Sequence, residues 1–165
     1  MFHIFLITTA FLCTLVAGFL IAFSLVIMPG IRKLSDKEFL KTFKAIDRII
    51  QDQQPLFILI WLGSILSLII TAILSFSELE GIGLITIFTA LILNLFGVHI
   101  PTIVVNVPLN NKLQALDVDA LNEENAKTSR SNFEDRWNRW NIIRTYFSCI
   151  ISMLLLLFLF YYNIG

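Results

Sequence analysis

Residues 55–77 read PLFILIWLGSILSLIITAILSFS, twenty-three consecutive positions without a formal charge. An α-helix needs about 20 apolar residues to cross a hydrocarbon layer of about 30 Å, so this stretch is long enough to span a bilayer. Working outward, Glu78 and Glu80 close it on one side, and a second charge-free run, 81–105, follows at once. Two more lie at the ends of the chain, 4–28 and about 143–162, the last interrupted near its start by Arg144. Everything charged falls into three windows: Arg32 to Asp52, Glu78 to Glu80, and Lys112 to Arg144.

Composition agrees with that reading. The 165 residues are 57% apolar and 15% charged, against about 45–50% and about 25% in soluble domains. A chain this short has too much surface to hide such an excess from water. The pattern excludes a soluble globular domain and a disordered chain. Net charge is zero and no basic run is interleaved with aromatics, which excludes a nucleic-acid binder. The expected fold is all-α: a single integral membrane domain over 1–165, built as a four-helix transmembrane bundle. The first span resembles a signal peptide in position only. No Lys or Arg precedes it, its apolar run is too long, and no small-residue cleavage site follows Met28-Pro29, so a retained helix is expected.

The loops alternate in charge. Six Lys/Arg lie between spans 1 and 2, none between spans 2 and 3, and six from Lys112 to Arg144. By the positive-inside rule the first and third loops face the cytoplasm, with both termini and the Glu78–Glu80 turn outside, in the plasma membrane of a bacterial cell. The first loop contains Ser35-Asp-Lys-Glu38, a capping box, and beyond it Phe39, Phe43, Ile46 and Ile50 form one apolar stripe. This predicts an amphipathic cytoplasmic helix between spans 1 and 2, its opposite face charged. A second capping-box match, Ser131 to Glu134, predicts that the last helix starts near Asn132, with Asp117–Ser129 mostly loop.

Membrane helices associate by close packing, since lipid is as apolar as leucine. Ala10, Thr14, Gly18 and Ala22 in span 1, and Gly63, Ser67, Thr71 and Ser75 in span 2, are small residues at four-residue spacing. They predict contact between the first two helices through these stripes.

Polar groups inside spans are costly and point to the bundle interior or to a site. His99, Thr102 and Asn106 share one face of span 3, and Asn110 extends the line only if the helix persists through Pro108, which a proline opposes. Pro101 frees the Gly97 carbonyl beside His99 and predicts a kink. Trp137, Trp140, Asn141 and Arg144 share a face of the last helix, prolonged by Ser148 and Ser152. With spans 3 and 4 antiparallel, both groups fall at the cytoplasmic end, together with Ser24, Met28 and Pro29 of span 1.

Several chemistries drop out. His3 and His99 lie at opposite ends of their spans, roughly 20 Å or more apart, too far for a bis-histidine haem. Cys13 and Cys149 form no CxxC pair. No HExxH, P-loop or glycine-rich nucleotide signature is present, and the spans lack the paired broken helices of transporters. No cofactor and no metal is expected.

At Asn106-Val-Pro-Leu-Asn110 and Trp137-Asn-Arg-Trp-Asn-Ile-Ile-Arg144 the chain resembles the anthrone oxygenase-like family of small four-span membrane proteins. Phe23 to Pro29, Phe43 to Arg48, Pro55-Leu-Phe and Gly63 extend the resemblance in the same order. Many relatives carry His directly after the Trp-Asn pair, where this chain has Ile142, which leaves His99 as the imidazole within the spans. Fungal members oxidise anthrones to anthraquinones without a recognised cofactor. The resemblance therefore implies a cofactor-independent oxygenase: a hydrophobic aromatic small molecule stacks on Trp137 or Trp140, His99 takes a proton, Arg144, Asn141 and Asn106 hold an oxygen, and Asn110 is a further substrate-binding residue. Two other readings of the same residues stand beside it. One is a non-enzymatic lipid- or lipophile-binding protein or accessory subunit, with membrane lipids as partners. In the other, the polar cluster only locks helices together or anchors the last helix at the interface.

Overall fold

The computed structural model describes residues 1–52 and 54–162, which form five helices and no strand. Four are long and apolar enough to cross a membrane: α1 (Phe2–Ile31), α3 (Pro55–Glu78), α4 (Gly81–Gln114) and α5 (Glu123–Tyr162). The fifth, α2 (Asp36–Gln51), is the amphipathic helix between the first two spans. The protein is an integral, multi-pass, four-helix membrane bundle. Gly81 turns the chain between α3 and α4 at φ +53°, a left-handed conformation that glycine adopts without steric cost.

All four prolines have a structural role. Pro55 is the first residue of α3, where a missing N–H removes no bond, and the Gln54 side-chain oxygen accepts from the Phe57 N–H beside it. The other three lie inside spans, and each follows a π-helical turn: Phe23–Ile27 before Pro29, Leu95–His99 before Pro101, Thr102–Asn106 before Pro108. In every case the residue just before the proline donates to the carbonyl five back: Met28 to Phe23, Ile100 to Leu95, Val107 to Thr102. A proline ring clashes with the carbonyl four residues earlier, and here that carbonyl always belongs to the widened turn. The π turn makes room for the ring, so α4 runs on through both of its prolines to Gln114. Pro108 therefore does not end the helix, and Asn110 remains on it.

Buried apolar side chains form two clusters. One fills the bundle away from α2 and includes Phe2, Leu6, Val16, Leu68, Ile87, Ile151 and Leu155. The other lies under α2 and includes Phe23, Met28, Phe39, Phe43, Leu113, Phe133 and Trp137. Phe19 packs against both. The 40 residues of α5 span about 60 Å at 1.5 Å per residue, about twice the hydrocarbon thickness. Its first half therefore projects beyond the membrane and carries α2. Arg130 fixes the two together: its guanidinium meets Glu134 at 2.7 Å and Asp36 at 3.0 Å and donates to the Leu34 and Arg32 carbonyls.

Three expectations are corrected. The last helix begins at Glu123, where the Asn122 side chain accepts from the Asn125 N–H, so Ser131 is mid-helix and Glu134 serves Arg130 instead of a cap. The first span meets α3 through a face rotated from the predicted stripe. Thr9, Ala10, Cys13, Val16, Ala17 and Leu20 are buried, whereas Thr14 and Gly18 are exposed. The Thr9 and Thr71 hydroxyls meet at 2.9 Å, and a Cβ on Gly63 would stand 3.2 Å from Leu12. The α3 half of that contact holds, with Ser67, Thr71 and Ser75 buried. Finally, α2 is not charged only on its outer face: Asp47 is buried on the stripe that carries Phe39 and Phe43.

The Ser35 capping box is present, with the Glu38 carboxylate accepting from the Ser35 hydroxyl at 2.6 Å and from its N–H at 3.1 Å. Those two bonds, the hydroxyl first, hold Glu38 below the usual carboxylate range. A carboxylate lowered in the folded state stabilises it above the unfolded pKa, and that contribution is lost as pH falls through the folded value. Amide exchange in the first turn of α2, taken relative to its intrinsic rate at each pH, is therefore expected to quicken below about pH 4. Ser35→Ala should quicken it at neutral pH too, while the spans stay unchanged in both cases.

Candidate functional site

Under α2 the bundle opens into a cavity of about 280 Å³, close to the lower end of the roughly 300–1,000 Å³ typical of small-molecule sites. All four spans and α2 line it. Its walls are aromatic. The Phe57 and Trp61 rings stack at 5.7 Å, and Trp61 stands 5.3 Å from the His99 ring. From Phe57 the series continues through Phe19 (5.1 Å) to Phe23 (5.0 Å), Trp137 (5.6 Å) and Phe43 (5.2 Å). Six aromatic side chains and one imidazole thus make an unbroken arc. Leu62 on α3 and Ile103 and Val107 on α4 also line the cavity, yet they are 50%, 66% and 41% exposed on the lipid-facing surface. The spans α3 and α4 pack along the Gly81–Asn94 part of α4, and below it these three residues form an outward-facing part of the cavity wall.

The polar groups project into this apolar space. Arg144 is 4% exposed. Its two Nη atoms donate to Thr102 Oγ1 and Asn141 Oδ1, both at 2.9 Å, while Nε has no partner. No carboxylate among the described residues pairs with it. A guanidinium carries five N–H donors, of which these bonds use two. Asn141 is itself held by donating to Ser24 Oγ at 2.7 Å, which ties α5 to α1 where the first π turn begins. His99 Nε2 and Asn106 Oδ1 are buried without a partner, the Asn106 amide donating to the Trp137 carbonyl at 3.4 Å.

Nearer α2, the Trp137 indole N–H donates to Asn110 Oδ1 at 2.8 Å, and the Asn110 amide donates to Asp47 Oδ1 at 2.7 Å. Asp47 Oδ2 accepts from Gln114 at 2.9 Å and from Gln51 at 2.8 Å. Burial raises the Asp47 carboxyl above the usual range, and the bonds from Gln114, Gln51 and Asn110 pull the other way.

Of the residues singled out in the sequence, His99, Asn106, Asn110, Trp137, Asn141 and Arg144 line one cavity. Trp140 does not: it is half-buried on the neighbouring face of α5, one helical step away from Trp137 and Arg144. Sequence reasoning missed Asp47, Phe57 and Trp61. Asp47 had a signal, lying four residues after Phe43 and three before Ile50 on the apolar stripe. Trp61 had one too, since it sits within the span, inside the level where an interfacial belt would place it. Among the described residues, no three His, Cys, Asp or Glu side chains stand together as a metal site.

No curated protein and no solved structure matches the chain. The family model for anthrone oxygenase matches residues 43–154, a stretch that starts at Phe43 and contains every polar residue lining the cavity. With about two thirds of its length so matched, the chain belongs to the anthrone oxygenase family.

Proposed function

We propose that this protein oxidises a flat aromatic ketone bearing an acidic C–H, using dioxygen directly and no resident cofactor, in the cytoplasmic leaflet of the plasma membrane with both termini outside. The observation that carries the reading is Arg144: a buried guanidinium without a counter-ion, with three unused donors, in an aromatic cavity beside an unpaired imidazole nitrogen. The family name supplies anthrones, three-ring ketones of this class, as the substrate to test.

The chemistry follows from the roles. The ring system enters between Leu62, Ile103 and Val107 and stacks in the aromatic arc. His99 Nε2 takes the proton from the activated carbon, and the electron pair moves onto the ketone oxygen, held by Arg144. Electrostatic stabilisation of that kind is worth about 2.7–4 kcal/mol per donor in a water-poor site. The carbanion reduces dioxygen and forms a C–O bond, and the peroxide oxygen takes the proton back from His99. Loss of the second C–H proton with cleavage of the O–O bond leaves a new carbonyl and one water. One CH₂ and one O₂ thus become one C=O and one H₂O, with no other oxidant.

The test is oxygen uptake by the purified protein in lipid nanodiscs supplied with anthrone. Uptake above the uncatalysed rate is expected, falling by about 10²–10⁴ in His99→Ala, the usual contribution of a general base. Trp140→Phe should stay within about twofold of wild type. No uptake, or full activity in His99→Ala, defeats the proposal. Tight binding of anthrone without uptake would favour a lipophile-binding protein instead.

A further inference from the structure

The two polar ends of the cavity are opposite in kind. At one end the Arg144 guanidinium can only donate. The Asp47 end offers an acceptor, and its capacity can be counted. An ionised carboxylate has about four lone-pair positions. Asn110 occupies one on Oδ1, and Gln114 and Gln51 occupy two on Oδ2. About one remains, on the oxygen that carries a single bond. Three side-chain amides from α2 and α4 fix the carboxylate in place, and it lines the same cavity as Arg144 while only 3% exposed. The two ends are also well separated. Asp47 is joined through Asn110 to the Trp137 indole, and Arg144 lies seven residues further along α5, about 10 Å of helix.

We propose that Asp47 is a specificity-determining residue: its free lone pair accepts from a hydroxyl or amine on the ligand, at the opposite end of the ring system from the oxygen held by Arg144. The inference rests on the aromatic-ketone reading above but not on turnover. A ligand lacking such a donor leaves a buried carboxylate position unmade, and sites built to accept a hydrogen bond reject analogues without it more strongly than apolar pockets reject a missing methylene. The ligand is thus held in one direction, which sets the carbon presented to His99.

Binding is read by quenching of tryptophan fluorescence, since Trp61 and Trp137 line the cavity. The probes are a phenolic three-ring ketone, with its hydroxyl on the ring far from the carbonyl, and its methyl ether, which keeps the oxygen and removes the donor. Wild type should prefer the phenol by about 10- to 100-fold, the range for a hydrogen bond to a charged group. In Asp47→Asn the preference should collapse to within about threefold, through loss of phenol affinity, while the ether binds as it does to wild type. That unchanged ether affinity also shows that the variant is folded. Equal binding of both probes by wild type overturns this inference and leaves the aromatic site standing. A preference retained in Asp47→Asn overturns it as well. Binding of neither probe by wild type overturns the site reading together with it.

Discussion

Arg144→Met is expected to raise the thermal midpoint of the ligand-free protein while reducing its affinity for anthrone at least about 100-fold. The two effects have one cause. Taking a guanidinium out of water costs several kcal/mol unless an opposite charge offsets it, and Arg144 has only the Thr102 hydroxyl and the Asn141 carbonyl, with Nε unpaired. Methionine fills much the same volume without that cost. It orphans Asn141 Oδ1, at about 1–3 kcal/mol, whereas Thr102 keeps its bond to the Val98 carbonyl at 2.7 Å. Replacing buried ions by apolar side chains of similar volume is often stabilising, and the balance here favours the variant by about 1–3 kcal/mol, which for a chain of this size corresponds to about 2–4 °C per kcal/mol. Affinity moves the other way because two charge-assisted bonds to the ketone oxygen disappear, each worth roughly tenfold or more. Arg144→Lys keeps the charge but not the planar fork that reaches both partners, and should recover little of the binding. Thermal unfolding and fluorescence quenching decide the matter. A lowered midpoint with unchanged quenching would make Arg144 a clasp between α4 and α5 and remove its role in the site.

Such a cost is tolerated where a ligand compensates it. The cavity polar groups follow that logic as a set: Arg144 Nε, His99 Nε2 and Asn106 Oδ1 are all buried without partners, on side chains that face one aromatic space. The three π turns serve the same end. Each prevents a proline from breaking its span, and two of them carry site residues directly: His99 closes one, and Thr102 and Asn106 bound the other. Two π turns within twelve residues widen α4 where the cavity lies, as π turns commonly do near functional sites.

The bundle was legible because charge is excluded from a bilayer core, so twenty-residue gaps between charges mark the spans whatever their order. The start of α2 was legible because Ser35 and Glu38 make a local interaction that needs no partner from the rest of the fold. Three things were not. Span 1 is apolar all round, so its contact face carries no amphipathic signal. Small-residue spacing chose Ala10, Thr14, Gly18 and Ala22, of which Ala10 alone is buried, and packing adds Thr9, Cys13 and Ala17. The passage of α4 through Pro101 and Pro108 depends on i→i−5 bonding that residue propensities do not encode. The expectation of charge only on the face opposite the stripe does not single out Asp47, whose position on the Phe39–Phe43 stripe buries it; the amides of Asn110 and Gln114, sixty residues and more away in sequence, make that burial tolerable.

Gly97→Ala should be the most damaging single methyl addition in the spans. A Cβ at Gly97 would stand 2.4, 2.7 and 2.8 Å from Cγ, Cδ2 and Cβ of Phe147. Those atoms are the root of the side chain, not its tip, so the ring cannot swing aside without moving α5. Gly97 also sits in the π turn that ends at His99, and relief by unwinding that turn would return the Pro101 ring to its clash with the Gly97 carbonyl. Overpacking of a dense interior costs about 1–3 kcal/mol, and more where backbone must yield. The thermal midpoint should fall accordingly, by about 2–4 °C per kcal/mol, and anthrone binding should weaken with it because His99 and Arg144 lie on the two helices being forced apart. Adding Phe147→Ala to Gly97→Ala should restore part of both, with a coupling of about 0.5–3 kcal/mol, since it removes the obstructing ring. Gly18 is the control. A methyl added there would meet nothing within 4 Å, so Gly18→Ala should be neutral or stabilising by up to about 1 kcal/mol through helix propensity alone. If Gly97→Ala proves as harmless as Gly18→Ala, then α4 and α5 do not approach at Phe147, and the level that sets His99 opposite Arg144 is wrong.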